Sequence, residues 1–216
     1  MNIIFDLDGT LVDSVADIRT AVNLVLADAG HEGLSLSQVR SFIGEGAQML
    51  IRQVIGAVGA DEALLGQWHR AFLRHYECVM LDDTRPYPGV VEALTVLMDK
   101  GARLAVCTNK PEEPARQILA ATGLAPFFEA VVGGDTLPTR KPSPEPVQHA
   151  MALLGAGEAV FVGDSEIDAG AAQAAGLPFF LFTEGYRKTP VEQLKHQAVF
   201  DHFSQLPERI GELLPV

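Results

Sequence analysis

Three short runs of apolar residues, each followed within two residues by a polar side chain, constrain the fold of this chain more than any other feature. The runs are Ile3 to Phe5, Leu104 to Cys107 and Ala159 to Val162. Each run is continuous rather than alternating, which is typical of strands that are covered on both faces in a parallel sheet. Weaker runs at residues 130–132 and 178–182 predict two further strands. The pattern therefore predicts an α/β protein.

Helical periodicity separates the predicted strands from Pro88 onward. Pro88 precedes the apolar stripe of the first of these helices, which stops at Gly101, and this order of proline and glycine is typical of a helix. Further helices are predicted at residues 112–121, 144–154 and 167–175. Strands and helices that alternate in this way predict a doubly wound parallel sheet with right-handed crossovers.

The segment at residues 14–85 differs because it carries three helical periodicities and no clear strand. Their apolar stripes begin near Val15, Ala47 and Leu65. An all-helical segment between the first strand and the rest of an α/β fold predicts an inserted cap subdomain at residues 14–85, with the core made of residues 1–13 and 86–216. The alternative is that these helices only enlarge the core.

The charge of the chain limits its partners. The 216 residues include 16 Lys and Arg against 28 Asp and Glu, which gives a net charge of −12. A chain this acidic is repelled by a nucleic-acid backbone and by an anionic membrane surface, so we expect neither as a partner. A small anionic substrate remains compatible with this charge if a metal cation lies between the two.

The cysteines and the N-terminus bear on the compartment. Cys78 and Cys107 allow one disulfide at most, and a core of this size does not need one, so both are predicted to be buried free thiols. The first residues lack a basic region and reach an acid at Asp6, and no apolar run approaches the roughly 18 residues of a membrane-spanning helix. We therefore expect a cytoplasmic protein. We further expect it to be either a monomer or a homodimer.

Polar side chains at the ends of the predicted strands indicate where a site would form. In an open parallel sheet, ligands bind beyond the carboxyl ends of the strands, so the groups that follow the three apolar runs should converge. Those groups are Asp6 and Asp8, Thr108 and Asn109, and Asp164. Any one of these acids alone could equally be a turn residue or a helix cap. Their expected convergence is what predicts a site.

Asp6 and Asp8 indicate the chemistry of that site. They lie two residues apart in an extended segment, so their side chains point the same way. Like charges so close persist where a cation binds between them or where one keeps a proton. Asp6, Asp8 and Asp164 could supply carboxylate oxygens to Mg²⁺, whereas the histidines and cysteines show no spacing suited to zinc. Lys141, in a proline-stiffened segment, could reach a phosphoryl oxygen.

The residues around these positions resemble the four motifs of the haloacid dehalogenase (HAD) superfamily, in the form that its phosphatases use. The similar segments are Asp6-Leu7-Asp8-Gly9-Thr10, Thr108-Asn109-Lys110, Lys141 with Pro142-Ser143-Pro144, and Gly163-Asp164-Ser165 with Asp168. All four occur in order and at fitting spacing, and the resemblance covers essentially the whole chain. It implies a HAD-like α/β core with a helical cap, which agrees with the subdomain predicted at residues 14–85.

The resemblance also implies roles for the acidic residues. Asp6 would be the nucleophile that forms an aspartyl-phosphate, and Asp8 would act as the general acid and then the general base. Mg²⁺ would be held by the Asp6 carboxylate, the Asp8 backbone carbonyl and Asp164. Asp168 would not ligate the metal itself and would instead orient Asp164 or a metal-bound water.

The phosphate-binding groups implied by the resemblance are Thr108, Asn109 and Lys141, with Lys141 also counted among the catalytic residues. An acid at position 8, two residues after the nucleophile, favours phosphate esters. Haloacid dehalogenases and phosphonate hydrolases depart from this pattern. The resemblance therefore implies a phosphatase.

The cap segment bears on the substrate. Gly44, Glu45 and Gly46 form a glycine-rich loop that looks most like that of phosphoglycolate phosphatases, and glycines let backbone approach a small ligand closely. The resemblance thus implies hydrolysis of 2-phosphoglycolate to glycolate and phosphate. Glu45 stands where relatives often have Asn, so either it points away or the substrate differs. Arg52 could meet a substrate carboxylate or lie on a solvated helix face. Open alternatives are a sugar phosphate, a nucleotide or pyrophosphate as substrate, or a HAD-like protein that binds a partner without catalysis.

Overall fold

A computed structural model of the chain describes residues 1–212, and its centre is a six-stranded sheet with the strand order β5-β4-β1-β6-β7-β8. The sheet strands are β1 (Asn2–Phe5), β4 (Arg103–Cys107), β5 (Ala130–Val132), β6 (Ala159–Gly163), β7 (Phe179–Phe182) and β8 (Ala198–Phe200). All neighbours pair in parallel. The predicted doubly wound α/β fold is confirmed, and β8 extends the sheet beyond the strands that the apolar runs predicted.

The register of the central strands aligns their carboxyl ends. Phe5 at the end of β1 pairs with Val106 of β4 on one side and with Val162 of β6 on the other. The residues that follow the three strands therefore emerge at one edge of the sheet, within about two residues of the same level. This register, set by buried apolar side chains, is what brings the polar groups after the strands together.

Helices cover both faces of the sheet. They are α5 (Val90–Asp99), α6 (Glu112–Ala121), α7 (Glu145–Leu154), α8 (Glu166–Ala175) and α9 (Leu206–Gly211). One hydrophobic cluster packs α5, α6 and α9 on one face, and a second packs α7 and α8 on the other. Because the central strands are buried between these two layers, their side chains are apolar on both faces, as the continuous runs predicted.

The segment between β1 and α5 is helical and has a hydrophobic cluster of its own. Its helices are α1 (Val15–Asp28), α2 (Leu36–Arg40), α3 (Ala47–Val58) and α4 (Leu65–Val79), with a 3₁₀ turn at Glu62–Leu64. Apolar side chains of all four helices form the cluster. A two-stranded antiparallel ribbon, β2 (Val12–Asp13) with β3 (Arg85–Pro86), joins this segment to the sheet. We call residues 14–85 the cap, with the bounds that the sequence predicts. Residues 213–216, which the predicted core includes, lie outside the described residues.

The structure differs from the sequence predictions in two places. The short helix α2 was not predicted, because five residues are too few to show a periodicity. Cys78 was predicted to be buried and is exposed, whereas Cys107 in β4 is buried. Cys78 lies two positions after Tyr76, so it falls on the side of α4 opposite the buried stripe. Within residues 1–212, no helix is long and apolar enough to cross a membrane.

Candidate active site

Three buried carboxylates meet beyond the ends of β1 and β6. They belong to Asp6, Asp164 and Asp168, and one oxygen from each lies within 4.8 Å of the others. Asp6 follows β1 directly, Asp164 follows β6, and Asp168 lies in the first turn of α8. The structure therefore brings together three of the acids that the sequence singled out.

Lys141 places a buried positive charge against this cluster. Its Nζ lies 2.8 Å from Asp6 Oδ1 and 2.7 Å from Asp168 Oδ1, and its side chain is only 2% exposed. Burial disfavours the ammonium, but the Asp168 and Asp6 carboxylates outweigh burial and raise the pKa of Lys141 above its ordinary value. Lys141 is thus a fixed cation beside Asp6.

Asp6 carries the clearest sign of an incomplete charge balance. Burial and the Asp168 carboxylate raise the pKa of Asp6 to about 7, although Lys141 acts in the opposite direction. Asp6 Oδ1 is buried, and Lys141 Nζ faces it at 2.8 Å in an ion pair that Lys141 shares with Asp168. Three carboxylates that share one ammonium keep an excess of negative charge, and their oxygens are the hard ligands that Mg²⁺ prefers. The donor set fits a divalent cation.

Asp164 is held by hydrogen bonds to both of its oxygens. Thr10 Oγ1 donates to Oδ1 at 2.8 Å, and the backbone N–H of Tyr186 donates to Oδ2 at 2.6 Å. Burial and the Asp168 carboxylate raise the pKa of Asp164 well above its ordinary value. Each oxygen keeps a further lone pair, so Asp164 is oriented and still able to ligate a metal.

Asp168 is more fully engaged than the other two acids. One oxygen accepts from Lys141, and the other accepts from the hydroxyl of Ser165 at 2.7 Å and from the backbone N–H groups of Ser165 and Asp164 at 3.1 and 3.2 Å. Ser165 and Asp168 form the capping box of α8. These contacts suit a residue that positions Lys141 and the backbone of Asp164.

The Asp8 side chain lies outside the three-acid cluster and has its own partners. Ser14 Oγ donates to Asp8 Oδ1 at 2.6 Å, and Lys110 Nζ donates to both carboxylate oxygens at 2.8 and 3.0 Å. Burial disfavours the Lys110 ammonium, but the Asp8 carboxylate outweighs burial and raises the pKa of Lys110. The sequence analysis assigns no separate role to Lys110. The signal that could have identified it is its position directly after Thr108 and Asn109, at the end of a predicted strand.

Thr108 and Asn109 differ in what they offer to a ligand. Thr108 is buried at the site, and its Oγ1 accepts from the backbone N–H of Lys110 at 3.2 Å. The Asn109 amide bonds to protein groups: its Nδ2 donates to the carbonyls of Gly44 and Lys141, and its Oδ1 accepts from the Lys141 N–H. The Asn109 side chain therefore links the cap loop to Lys141 and does not face the site as a free donor.

Comparison with known proteins assigns the arrangement to a family. Residues 3–182 match the family model described as haloacid dehalogenase-like hydrolase. The chain belongs to this HAD-like family. A phosphoglycolate phosphatase of Cereibacter sphaeroides is 47% identical over 214 residues, 98% of each chain. A second, from Rhodobacter capsulatus, is 47% identical over 207 residues, which are 95% of this chain and 94% of its own.

A solved structure agrees with the family assignment. The crystal structure of a predicted phosphoglycolate phosphatase from Haemophilus somnus has a TM-score of 0.90 and 34% identity, and the match covers 95% of this chain and 96% of the other. The resemblance to HAD phosphatases is thus confirmed, and this HAD-like chain is an enzyme of the phosphatase class.

In this HAD-like enzyme a pocket lies between the acidic cluster and the cap. Asp6, Asp8 and Thr108 form part of its floor, and the cap loop contributes Gly44 and Gly46. The remaining cap side chains that line it are largely apolar, among them Ile18, Leu50 and Phe72.

The two ambiguous cap residues lie away from this pocket. Glu45 is exposed and does not line the pocket. Its side chain therefore points away from the pocket, so its negative charge does not by itself require a different substrate. Arg52 is exposed on α3 and pairs with Glu62 at 3.2 Å. The cap loop therefore meets the pocket through glycine backbone and adds no charge to it.

Proposed function

We propose that this HAD-like phosphatase hydrolyses 2-phosphoglycolate to glycolate and phosphate, with Mg²⁺ bound and through an aspartyl-phosphate on Asp6. The observation that carries the proposal is the buried cluster of Asp6, Asp164 and Asp168, whose negative charge is balanced only in part by Lys141 beside Asp6. The choice of ester is supported by relatives of 47% identity that are named phosphoglycolate phosphatases. A cytoplasmic location and a monomeric or dimeric state stay predictions.

The first chemical step uses Asp6 and Asp8. An Asp6 oxygen attacks phosphorus, a new O–P bond forms, and the bond from phosphorus to the ester oxygen breaks. Asp8 gives its proton to the departing alkoxide, so glycolate leaves as the neutral alcohol at that oxygen. Asp8 then takes a proton from water as that water attacks the aspartyl-phosphate, which releases phosphate and restores Asp6.

The neighbouring groups hold the reactants in place. Lys141 lies beside Asp6 and would bind a phosphoryl oxygen as negative charge develops there, and the Thr108 hydroxyl would bind another. Asp168 keeps Lys141 in position through its 2.7 Å contact. Because the Asn109 amide is used in linking Gly44 to Lys141, its contribution to phosphate binding would come from backbone.

Mg²⁺ would be held by the Asp6 and Asp164 carboxylates and by the backbone carbonyl of Asp8, with Asp168 behind them. When bound, it neutralises charge between the nucleophile and the phosphate. The Asp8 side chain points to Ser14 and Lys110, which leaves its carboxylate free of the cluster for proton transfer.

The test combines one variant with a substrate panel. Asp6→Asn should lower kcat on 2-phosphoglycolate by about 10⁴-fold, because an amide does not replace the nucleophile. Asp99→Asn, which changes an exposed acid at the end of α5, is the matched control and should leave kcat unchanged. EDTA should abolish turnover, and Mg²⁺ should restore it. Near-normal turnover by the Asp6 variant would refute the assignment of Asp6 as the nucleophile.

The panel decides the substrate. Wild-type kcat/KM should be highest for 2-phosphoglycolate among that ester, a hexose phosphate, a nucleoside monophosphate and pyrophosphate. A clear preference for one of the other three would replace the proposed ester and keep the chemistry. Absence of turnover on every ester, including an aryl phosphate, would favour a binding protein instead.

A further inference from the structure

The pocket contains one pair of residues to which the proposed reaction gives no role. Lys110, which follows β4, and Tyr76, on α4 of the cap, both line it. We propose that Lys110 and Tyr76 together bind a carboxylate on the leaving group, which would make the enzyme selective for phosphate esters of small hydroxy acids. This inference rests on the proposed phosphatase reaction, because it concerns the part of the substrate that leaves with the ester oxygen.

Lys110 supplies the charge for such a contact. Its side chain is 6% exposed, and among the described residues that line the pocket it is the only cation. Its ammonium has three N–H donors, and the two oxygens of Asp8 use two of them. One donor is left for a further acceptor, and the apolar walls of the pocket strengthen a charge pair formed there.

Tyr76 supplies a second donor from the cap side. Its hydroxyl is buried and donates no hydrogen bond to any described residue, and the Lys110 ammonium lies 4.7 Å from the centre of its ring. A buried hydroxyl that donates no hydrogen bond is costly, so a bound acceptor would relieve an existing penalty. Burial raises the pKa of Tyr76 to about 12, and the hydroxyl therefore keeps the proton that it would donate.

The position of the pair relative to Asp8 limits which carboxylate it can reach. Asp8 must approach the ester oxygen in order to protonate it, and Lys110 Nζ lies 2.8 Å from Asp8 Oδ2. In a 2-hydroxy acid one carbon separates the ester oxygen from the carboxyl carbon, so the two groups lie about 3 Å apart. An ester oxygen at Asp8 therefore places such a carboxylate beside Lys110, whereas a carboxylate farther along the chain would lie beyond it.

A pair of substrates isolates the carboxylate. The first is 2-phosphoglycolate, and the second is 2-hydroxyethyl phosphate, which has a neutral hydroxyl in place of the carboxylate. The readout is the ratio of kcat/KM for the two, because any effect of Lys110 on the position of Asp8 lowers both values and cancels in the ratio.

We expect Lys110→Met to lower this ratio by about 30-fold, chiefly through KM for 2-phosphoglycolate, and Tyr76→Phe to lower it by about 5-fold. Lys195→Met, which removes an exposed lysine far from the site, is the matched control and should leave the ratio unchanged. Tyr76→Phe keeps the pair between Lys110 and Asp8, so it tests the proposal even if Lys110→Met does not fold.

A binding measurement gives an independent readout. Glycolate should inhibit the wild-type enzyme, and Lys110→Met should weaken that inhibition by about 10-fold while inhibition by inorganic phosphate stays the same. A variant ratio equal to the wild-type ratio, or unchanged glycolate inhibition, would overturn this inference and leave the proposed function standing. A wild-type enzyme that does not prefer 2-phosphoglycolate would instead contradict the proposed function.

Discussion

At the scale of single residues, the site depends on a glycine that leaves room for one of its acids. Gly9 follows Asp8 with a backbone φ of +89°, a conformation that L side chains rarely adopt. A Cβ at Gly9 would lie 2.6 Å from Asp164 Oδ2 and 2.8 Å from Tyr186 Cδ2. The glycine therefore serves both the turn after β1 and the packing of a proposed metal ligand.

We predict that Gly9→Ala displaces the Asp164 carboxylate. The expected results are a fall in kcat/KM of about 10²-fold, since a shift near 1 Å in a catalytic group has this effect, and a higher Mg²⁺ concentration at half-maximal activity. Steady-state kinetics at several Mg²⁺ concentrations measures both.

Gly30→Ala is the matched control for this prediction. Gly30 has a φ of +76°, and a Cβ there would meet nothing within 4 Å. Both variants should lose about 1 kcal/mol of stability from the strained backbone, and only Gly9→Ala should change the Mg²⁺ dependence. Equal Mg²⁺ dependence in the two variants would show that the contact with Asp164 is unimportant.

At the scale of elements, the junction between cap and core depends on a buried acid in the first turn of α1. Asp17 is 1% exposed, and its carboxylate accepts hydrogen bonds from the backbone N–H groups of Asp83 and Thr84 and from the Thr84 hydroxyl. Residues 83 and 84 form the chain's return to the core just before β3. Asp17 thus ties the start of the cap to its end.

We predict that Asp17→Ala lowers the free energy of unfolding by about 3 kcal/mol, because it leaves the buried N–H and hydroxyl of Thr84 and the part-buried N–H of Asp83 without their acceptor. For a chain of this size the change corresponds to a fall in Tm of about 9 °C, which calorimetry can measure. Glu92→Ala is the control, since Glu92 is an exposed acid in the first turn of α5. A loss as small as that of the control would contradict the proposed role of Asp17.

The strands and long helices could be predicted because burial leaves a periodic trace in the sequence. Helix α6 was expected at residues 112–121 and occupies Glu112–Ala121, since its length shows one apolar stripe. The convergence of Asp6 and Asp164 could be expected because both follow apolar runs at the carboxyl ends of predicted parallel strands. Elements as short as α2 or the ribbon of β2 and β3 leave no such trace.

Side-chain partners across the fold could not be predicted in the same way. The amide of Asn109 matched a phosphate-binding motif, yet it bonds to Gly44, which lies 65 positions away. The pairing of Lys110 with Asp8 joins residues 102 positions apart. Such contacts depend on side-chain directions that exist only once the cap and the sheet are in place.

At the scale of the whole molecule, a small part of the net charge of −12 lies in a buried cluster, where it opposes folding. The pKa of Asp6 rises to about 7 from an ordinary value of 3.8, and that of Asp164 rises as well, both chiefly through burial. Between these values the unfolded chain ionises at Asp6 while the folded chain keeps its proton. The metal-free protein should therefore lose stability as pH rises from about 4 to about 7, with an upper bound of about 4 kcal/mol from Asp6, and the raised pKa of Asp164 acts in the same direction.

Other shifted groups do not change the direction of this dependence. The raised pKa values of Lys141 and Lys110 contribute stability that is lost only above their ordinary value of 10.5. Glu112 accepts a hydrogen bond from Thr136, which lowers its pKa, so its contribution is lost only below pH 4.5. Partial burial lowers the pKa of His69, which acts in the opposite direction to Asp6, but solvent screens this half-buried group in part.

We predict that Mg²⁺ stabilises the protein more at about pH 8 than at about pH 5. At the higher pH Asp6, whose pKa is about 7, is ionised beside other acids, so a bound cation removes the penalty, whereas at the lower pH a proton on Asp6 competes with the cation. The measurement is the Tm with EDTA and with saturating Mg²⁺ at each pH. The difference between the two Tm values at one pH cancels groups such as His69, which titrate alike in both samples. Asp164→Asn should remove most of the Mg²⁺ effect at about pH 8, and a wild-type shift that is equal at both pH values would show that the cluster does not bind the cation.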